Sequence, residues 1–160
     1  MSDPRTRLAA EFLKRAYQLQ MQGELELAAR LYQRSIQLNP TAEAHTFLGW
    51  TYHFQGRLED AIAECKRAIE VDPHYGNPYN DIGAYLIELG RPAEAIPWLE
   101  RATRSARYAT YHFAWFNLGR AYVAQEMFTK ALECFSHAQD IEPGYEPAVE
   151  AEDRIKRLLQ

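Results

Sequence analysis

The fold is decided by residues 115–143, which read WFNLGRAYVAQEMFTKALECFSHAQDIEP. Apolar residues recur there at three- and four-residue spacing without strict alternation, a pattern that predicts amphipathic helices rather than strands. The short segment AQEMFT separates two such helices. Pro143 closes the stretch, because proline cannot continue a helix and biases the preceding residue away from the helical conformation. Residues 115–143 are therefore predicted to form a hairpin of two helices.

This hairpin pattern recurs along the chain. A shift of 34 residues aligns Gly49 with Gly83 and Ala61 with Ala95, and a shift of 36 residues aligns Gly83 with Gly119. A shift of 33 residues carries the same frame back towards the N-terminus. Two extra residues fall near SARYAT, where either the second helix of the third copy continues or a loop is inserted. The predicted copies are residues 9–41, 42–75, 76–109 and 112–145.

Glycine recurs inside the first helix of three copies, at Gly49, Gly83 and Gly119. Each costs about 1 kcal/mol relative to alanine, so we expect it where a side chain would obstruct helix packing. The second helices carry alanine at a fixed place, and small residues facing small residues would let the two helices approach closely. One hairpin cannot bury both its faces, so neighbouring copies must stack. We therefore expect an all-α, single domain spanning residues 1–160.

The last segment, residues 146–160, is predicted to be a capping helix. It begins EPAVEA, with a proline near the expected helix start. Its apolar residues fall on one helical face and its charged residues cover the others, as expected for a helix that closes a repeat array. The apolar face consists of Ala148, Ala151, Ile155 and Leu158.

Composition and charge restrict the classes of partner. The chain is 47% hydrophobic and 25% charged, with a formal net charge of −4. Binding to nucleic acid or to an anionic membrane favours a clustered basic surface, so we expect neither partner. The first ten residues lack the apolar segment of a secretory signal, and no run approaches the length of a membrane span. The expected location is the cytoplasm.

Little in the sequence indicates catalysis or a cofactor. Cys65 and Cys134 lie far apart and outside metal-ligand spacing, which is typical of small buried side chains. Cys134 and His137 could supply half of a metal site, but no second pair stands at ligand spacing. No glycine-rich phosphate loop is present. We expect no enzyme activity, no cofactor and no metal.

The pattern of the fourth copy resembles the tetratricopeptide repeat, whose consensus is W-x2-L-G-x2-Y, A-x3-F and P. The other copies match more loosely, and together the four cover nearly the whole chain. The resemblance implies a right-handed α-solenoid of four helix hairpins plus the C-terminal capping helix. It also implies a scaffold that binds other proteins. The matching residues are Trp115, Leu118, Gly119, Tyr122, Ala131, Phe135 and Pro143.

In proteins similar to this one, the first helix of each repeat lines the concave side. Trp115, Leu118 and Tyr122 share the packing face of their helix, whereas Phe113 and Phe116 share a different face. Transferring that second face to the other copies predicts a concave groove that is aromatic in the second and fourth copies and polar between them. The predicted peptide-binding residues are Tyr17, Phe47, Trp50, His53, Phe54, Asn80, Asp81, Phe113, Phe116, Asn117 and Arg120.

Some of these residues have a second interpretation. Phe54 and Met21 lie close to turns and could instead pack on an adjacent helix. Asn117 occupies the place where the family often uses asparagine to bind an extended peptide backbone, but it could equally be a solvated side chain. Arg120 and Asp81 could pair with each other or with a charged end of a ligand.

Three functions fit these observations. The first is a non-catalytic adaptor that binds a peptide or helix of a client protein in the aromatic-lined groove. The second is a structural homodimer assembled through residues 104–113 and the exposed aromatic rings. The third is a variant of the first, a small secretion-type chaperone, which resembles this chain in size, acidity and repeat number.

Overall fold

A computed structural model describes residues 3–160, and within this range the chain forms nine α-helices and no strand. The predicted all-α fold of helical repeats is confirmed. No helix in the described range is long and apolar enough to cross a membrane. The helices are α1 (Pro4–Met21), α2 (Leu25–Leu38), α3 (Ala42–Phe54), α4 (Leu58–Val71), α5 (Asn77–Glu88), α6 (Pro92–Thr103), α7 (Tyr111–Ala124), α8 (Phe128–Ile141) and α9 (Glu146–Leu158).

The chain divides into two compact units, unit 1 (Met1–Pro78) and unit 2 (Tyr79–Gln160). Each unit is built from helices that pack against their neighbours in sequence. The organisation into one domain, with the repeat boundaries given above, stays a prediction.

In unit 1, α1 packs on α2, α3 packs on α4, and α2 packs on α3. Alanines at the helix contacts are fully buried, including Ala16, Ala28 and Ala61. Polar links join the helices as well. The hydroxyl of Ser35 on α2 donates a hydrogen bond to the carbonyl oxygen of Ala9 on α1 over 2.7 Å. Because the buried hydroxyl donates to this acceptor, it is not left as an unsatisfied polar group.

In unit 2, α6 packs on α7, α7 packs on α8, and α8 packs on α9. The core of this unit includes Leu99, Phe135 and Ile155. Between α6 and α7 the chain forms a loop at residues 104–110, so the extra residues of the third copy form a loop and do not extend its second helix. Tyr111 stabilises that loop by donating its hydroxyl hydrogen to the carbonyl oxygen of Ser105.

The glycines inside helices do mark close helix contacts. A Cβ atom added at Gly49 would lie 3.0 Å from the carbonyl oxygen of Ala61, so two backbones meet there. At Gly83 the added atom would lie 2.3 Å from Cγ of Leu99, and at Gly119 it would lie 2.4 Å from the ring of Phe135. In unit 2 the expectation of small residues facing small ones is therefore wrong, because each glycine makes room for a large side chain of the next helix.

The capping helix α9 buries part of its predicted face. Ala148 and Ile155 are buried, and Ala151 is half-buried. Leu158 is 66% exposed, contrary to its expected place on that face. The reason is position, since Leu158 is the last residue of α9 and extends beyond the core that α8 provides.

Candidate protein-binding surfaces

Five predicted groove residues of unit 1 lie on and beside α3 as two groups of contacting rings, which adjoin because Phe47 and Trp50 are i, i+3 neighbours on that helix. Within these groups, the rings of Trp50 and Phe54 lie 5.3 Å apart between centroids, and those of Tyr17 and Phe47 lie 5.6 Å apart. Phe54 is 51% exposed and Tyr17 is 40% exposed, so solvent reaches both ends of the set. We call this set the α3 aromatic surface: Tyr17, Phe47, Trp50, His53 and Phe54.

Phe47 is supported from the core side. Its ring stacks at 6.0 Å on the ring of Tyr32, which is fully buried. The hydroxyl of Tyr32 in turn donates a hydrogen bond to Oε1 of Gln20 over 2.6 Å. This packing fixes the orientation of Phe47, while Phe54 and Met21 near the turns remain exposed and do not join the core.

The four polar predicted residues of unit 2 come together as one hydrogen-bonded chain. Nη1 of Arg120 donates to Oδ1 of Asn117 over 2.9 Å, and Nδ2 of Asn117 donates to Oδ1 of Asn80 over 2.9 Å. The side chain of Asn80 also forms a hydrogen bond with the carboxyl group of Asp81. We call these four residues the polar relay: Arg120, Asn117, Asn80 and Asp81.

Burial determines the charge state of Asp81. Removal of water raises the pKa of the Asp81 carboxyl group to about 7, and the hydrogen bond from Asn80 offsets only part of that rise. This carboxyl group is therefore protonated at mildly acidic pH, where an exposed aspartate is ionised. Arg120 lies at the other end of the relay, where it is hydrogen-bonded to Asn117.

The two predicted rings of α7 in the fourth repeat face Tyr145, a residue that sequence reasoning did not select. The rings of Phe116 and Tyr145 lie 5.7 Å apart, and those of Phe113 and Tyr145 lie 5.9 Å apart. Phe116 also contacts the buried ring of Phe135 at 5.7 Å. Phe116 is thus half-buried and takes part in packing the end of unit 2, whereas Phe113 remains 40% exposed.

A cavity of about 390 Å³ opens between α7 and α9. Its apolar wall includes Phe116, Ala151 and Ile155, and two of its cationic neighbours are Arg120 and Arg154. Sequence reasoning placed Arg120 in a binding face but treated the charged residues of α9 only as a solvated covering. The i, i+3 spacing of Ala151 and Arg154 is the signal that could have placed both residues near one edge of α9.

Both cysteines singled out in the sequence are buried. Burial raises the pKa of the Cys134 thiol to about 12, so the thiol is protonated at neutral pH and is a poor nucleophile. Cys65 is also a buried free thiol. Within residues 3–160, no cluster of three histidine, cysteine or acidic side chains is arranged to hold a metal ion.

Two sequence models of the tetratricopeptide repeat match the chain. One matches residues 42–75 and 112–145, and the other matches residues 79–107. Human tetratricopeptide repeat protein 7A is 30% identical over 138 residues, which is 86% of this chain and 16% of that protein. The chain thus spans less than a fifth of the length of this relative.

Solved structures show the same fold. PilF of Pseudomonas aeruginosa superposes with a TM-score of 0.91 at 18% identity, over 98% of this chain and 71% of that one. YrrB, described as a TPR protein with an unusual peptide-binding site, superposes with a TM-score of 0.72 at 22% identity, over 98% of this chain and 84% of that one. The repeat matches together cover more than half of the residues. This chain belongs to the tetratricopeptide repeat family.

Proposed function

We propose that this chain is a non-catalytic adaptor that binds a peptide or helix of a client protein, with the α3 aromatic surface as its main contact. The observation that carries the proposal is a row of rings on successive turns of α3, of which Phe54 is exposed and Phe47 and Trp50 are half-buried. Phe54 is 51% exposed although the core of unit 1 is already filled by alanine, leucine and tyrosine side chains. Exposed aromatic side chains that form one patch are typical of protein interaction sites.

For the polar relay of unit 2 we propose a hydrogen-bonding role of its own. The side-chain amide of Asn117 uses one of its two N–H groups on Asn80, and amide groups of this kind can pair with the backbone of an extended peptide. The peptide-binding site named for YrrB supports such a role by analogy of fold. Binding by Asn117 itself remains part of the proposal.

The expected affinity is moderate. Full burial of one aromatic side chain contributes roughly 4–6 kcal/mol before costs. Rings that are already half-buried contribute less, and association itself costs about 4–15 kcal/mol. Two or three such rings with a few hydrogen bonds are therefore consistent with about 8 kcal/mol, which corresponds to a micromolar complex.

The homodimer alternative depends on residues 104–113, whose two tyrosines pack within unit 2. Tyr108 is buried, and its ring lies 5.2 Å from that of Tyr111. Tyr111 itself donates its hydroxyl hydrogen to the loop. These contacts take both tyrosines away from self-association and leave Phe113, at 40% exposure, as the exposed ring of the segment, so we favour the adaptor. As part of the adaptor proposal, we also expect a cytoplasmic location and no nucleic-acid partner.

The test is a selection of random dodecapeptides displayed on phage against the full chain. Affinities of the selected peptides are then measured by fluorescence polarisation with the wild type and with a Trp50→Ala, Phe54→Ser variant. The matched control is Leu27→Ala, which removes an exposed apolar side chain from α2 of the same unit. We expect about tenfold or greater loss for the double variant and less than about twofold for the control. Equal affinities for all three proteins, with circular dichroism unchanged, would contradict the proposal.

A further inference from the structure

The cavity between α7 and α9 of unit 2 combines an apolar wall with a cationic rim. Phe116 and Val123 contribute from α7, and Ile155 contributes from α9. Its volume of about 390 Å³ falls within the range of about 300–1,000 Å³ that is usual for small-ligand pockets. An aliphatic side chain of leucine size therefore fits this cavity with room for an adjoining group.

Arg120 extends from the polar relay to the rim of this cavity. One N–H of its guanidinium group donates a hydrogen bond to Oδ1 of Asn117, and a guanidinium group carries five N–H donors in all. Asn117 is therefore a positioning residue, which orients Arg120 while its remaining donors stay available. The Arg120 charge also acts on Tyr145, where it offsets part of the rise that burial causes in the pKa of the hydroxyl.

Arg154 is the second cation at the rim. It is exposed and, among residues 3–160, it takes part in no hydrogen bond or ion pair. Lys156 on the same helix shows the contrast, since its Nζ lies 2.6 Å from Oε1 of Glu152. The cavity lining also includes one carboxylate, Glu150. Two guanidinium groups against one carboxylate leave the rim net positive, although the chain as a whole carries a net charge of −4.

We infer that this cavity binds a client segment in which an acidic residue adjoins a large aliphatic residue. The aliphatic side chain lies against Phe116 and Ile155, and the carboxylate is held between Arg120 and Arg154. Guanidinium groups suit this role because they bind carboxylates through paired N–H donors. The inference rests on the proposed function, for which it specifies the chemistry of the bound peptide.

The test uses three capped dipeptides as probes: acetyl-Leu-Glu-amide, acetyl-Leu-Gln-amide and acetyl-Ala-Glu-amide. Each is titrated into the ¹⁵N-labelled full chain, and the backbone amide signals of Ala124 and Ala151 at the cavity are followed by NMR. We expect acetyl-Leu-Glu-amide to bind with a dissociation constant of about 1–10 mM. Loss of either the charge or the aliphatic side chain should weaken binding by about threefold to tenfold.

Two substitutions on α9 separate the rim charge from general electrostatics. Arg154→Glu should abolish the preference for Glu over Gln in the probe. Arg157→Glu makes the same charge change on the same helix at an exposed residue outside the cavity lining, and it should leave the preference within about twofold of wild type. Ala124→Phe, at an exposed lining residue, should block all three probes without changing the charge.

Several results would overturn the inference. These are equal binding of the Glu and Gln probes, equal effects of Arg154→Glu and Arg157→Glu, and no signal change up to about 20 mM probe. Sedimentation velocity tests whether a second copy of this chain, rather than a client, occupies the cavity. A wild-type dimer that Arg154→Glu dissociates would show that a second copy of this chain fills the cavity, and would also overturn it.

Failure of this inference can be told apart from failure of the proposed function. If the phage-selected peptides require Trp50 and Phe54 but the dipeptides show no preference for Glu that Arg154→Glu removes, the adaptor proposal stands and the cavity inference is wrong. If the dipeptides bind as expected and no selected peptide depends on the α3 aromatic surface, the cavity binds such segments and the proposed main contact is wrong.

Discussion

Nδ2 of Asn117 donates a hydrogen bond to Oδ1 of Asn80 over 2.9 Å, which ties α7 to α5 inside unit 2. The bond orients both amides, because the oxygen of Asn117 accepts from Arg120 and the side chain of Asn80 bonds to Asp81. A cation and a titratable carboxyl group are thereby linked through two neutral amides. A change in the charge of Asp81 should therefore alter the hydrogen bonding along the relay.

The first prediction concerns the pH dependence of stability. The pKa of Asp81 is about 7 in the folded chain, against an ordinary value of 3.8. Between these two values the folded state binds the proton more tightly than the unfolded state, so the free energy of unfolding falls as pH rises through this window. Asp81→Asn removes the titration, and it should raise the free energy of unfolding at pH 8 by roughly 1–3 kcal/mol while changing it little at pH 4.

Urea denaturation followed by circular dichroism measures this pH dependence. Asp140→Asn is the matched control, because Asp140 is an exposed aspartate of the same unit. It should show the same pH profile as wild type. An NMR titration of the Asp81 carboxyl carbon gives the pKa directly, and a midpoint near 4 would refute the prediction.

The repeat fold was predictable because its requirements are local. Gly83 and Gly119 lie where the next helix comes closest, and their spacing along the chain revealed the period. What each glycine faces was not predictable from the period. Leu99 and Phe135 occupy those spaces, and each lies one turn after an alanine of the repeat pattern, Ala95 and Ala131.

Candidate site residues that share one face of a single helix could be predicted from the sequence. Residues that come together only through the packing of two distant segments were missed. Phe47 and Phe54 lie on the predicted face of α3, and the ring contacts join them to the residues named with them. Tyr145 is the last residue of the fourth repeat and precedes α9, and Arg154 lies on α9. Their approach to α7 depends on how α9 packs, which no periodicity in the sequence specifies.

The second prediction concerns helix packing at Gly119. A Cβ atom there would lie 2.4 Å from the buried ring of Phe135, so Gly119→Ala forces a shift in the core of unit 2. The clash should outweigh the gain of about 1 kcal/mol in helix propensity and cost about 1–3 kcal/mol overall. Denaturant unfolding measures the loss. Adding Phe135→Leu to Gly119→Ala should cost less than the sum of the two single changes, and strict additivity would argue against the contact.

The third prediction concerns a buried polar pair of unit 1. Nδ1 of His45 on α3 lies 2.8 Å from Oε2 of Glu64 on α4, and both residues are buried. His45→Ala or Glu64→Ala leaves the other group without this partner, so each should cost about 1–3 kcal/mol. A double-mutant cycle from urea denaturation should give a coupling energy of about 1 kcal/mol or more.

The matched pair for this cycle is Arg30 with Glu26, an exposed ion pair on α2 with an N–O distance of 3.0 Å. Its coupling should be about 0.3–0.5 kcal/mol and should be lost in about 1 M salt. The coupling of His45 with Glu64 should persist under the same salt because both side chains are about nine-tenths buried. Equal salt sensitivity of both pairs would show that the His45 pair is solvated.

The last prediction concerns the turn between α7 and α8. Glu126 has a φ of 59°, whereas the matching turn of the third repeat places Gly90 at a φ of 76°. A side chain in this left-handed conformation costs roughly 1–2 kcal/mol, and glycine adopts it without that strain. Glu126→Gly should therefore raise the free energy of unfolding by about 1 kcal/mol. Gly90→Ala should lower it by a similar amount, and because no atom lies within 4 Å of the added Cβ, that loss reports backbone strain alone. If Glu126→Gly instead destabilises the chain in urea denaturation, the Glu126 side chain stabilises the turn by more than its backbone conformation costs.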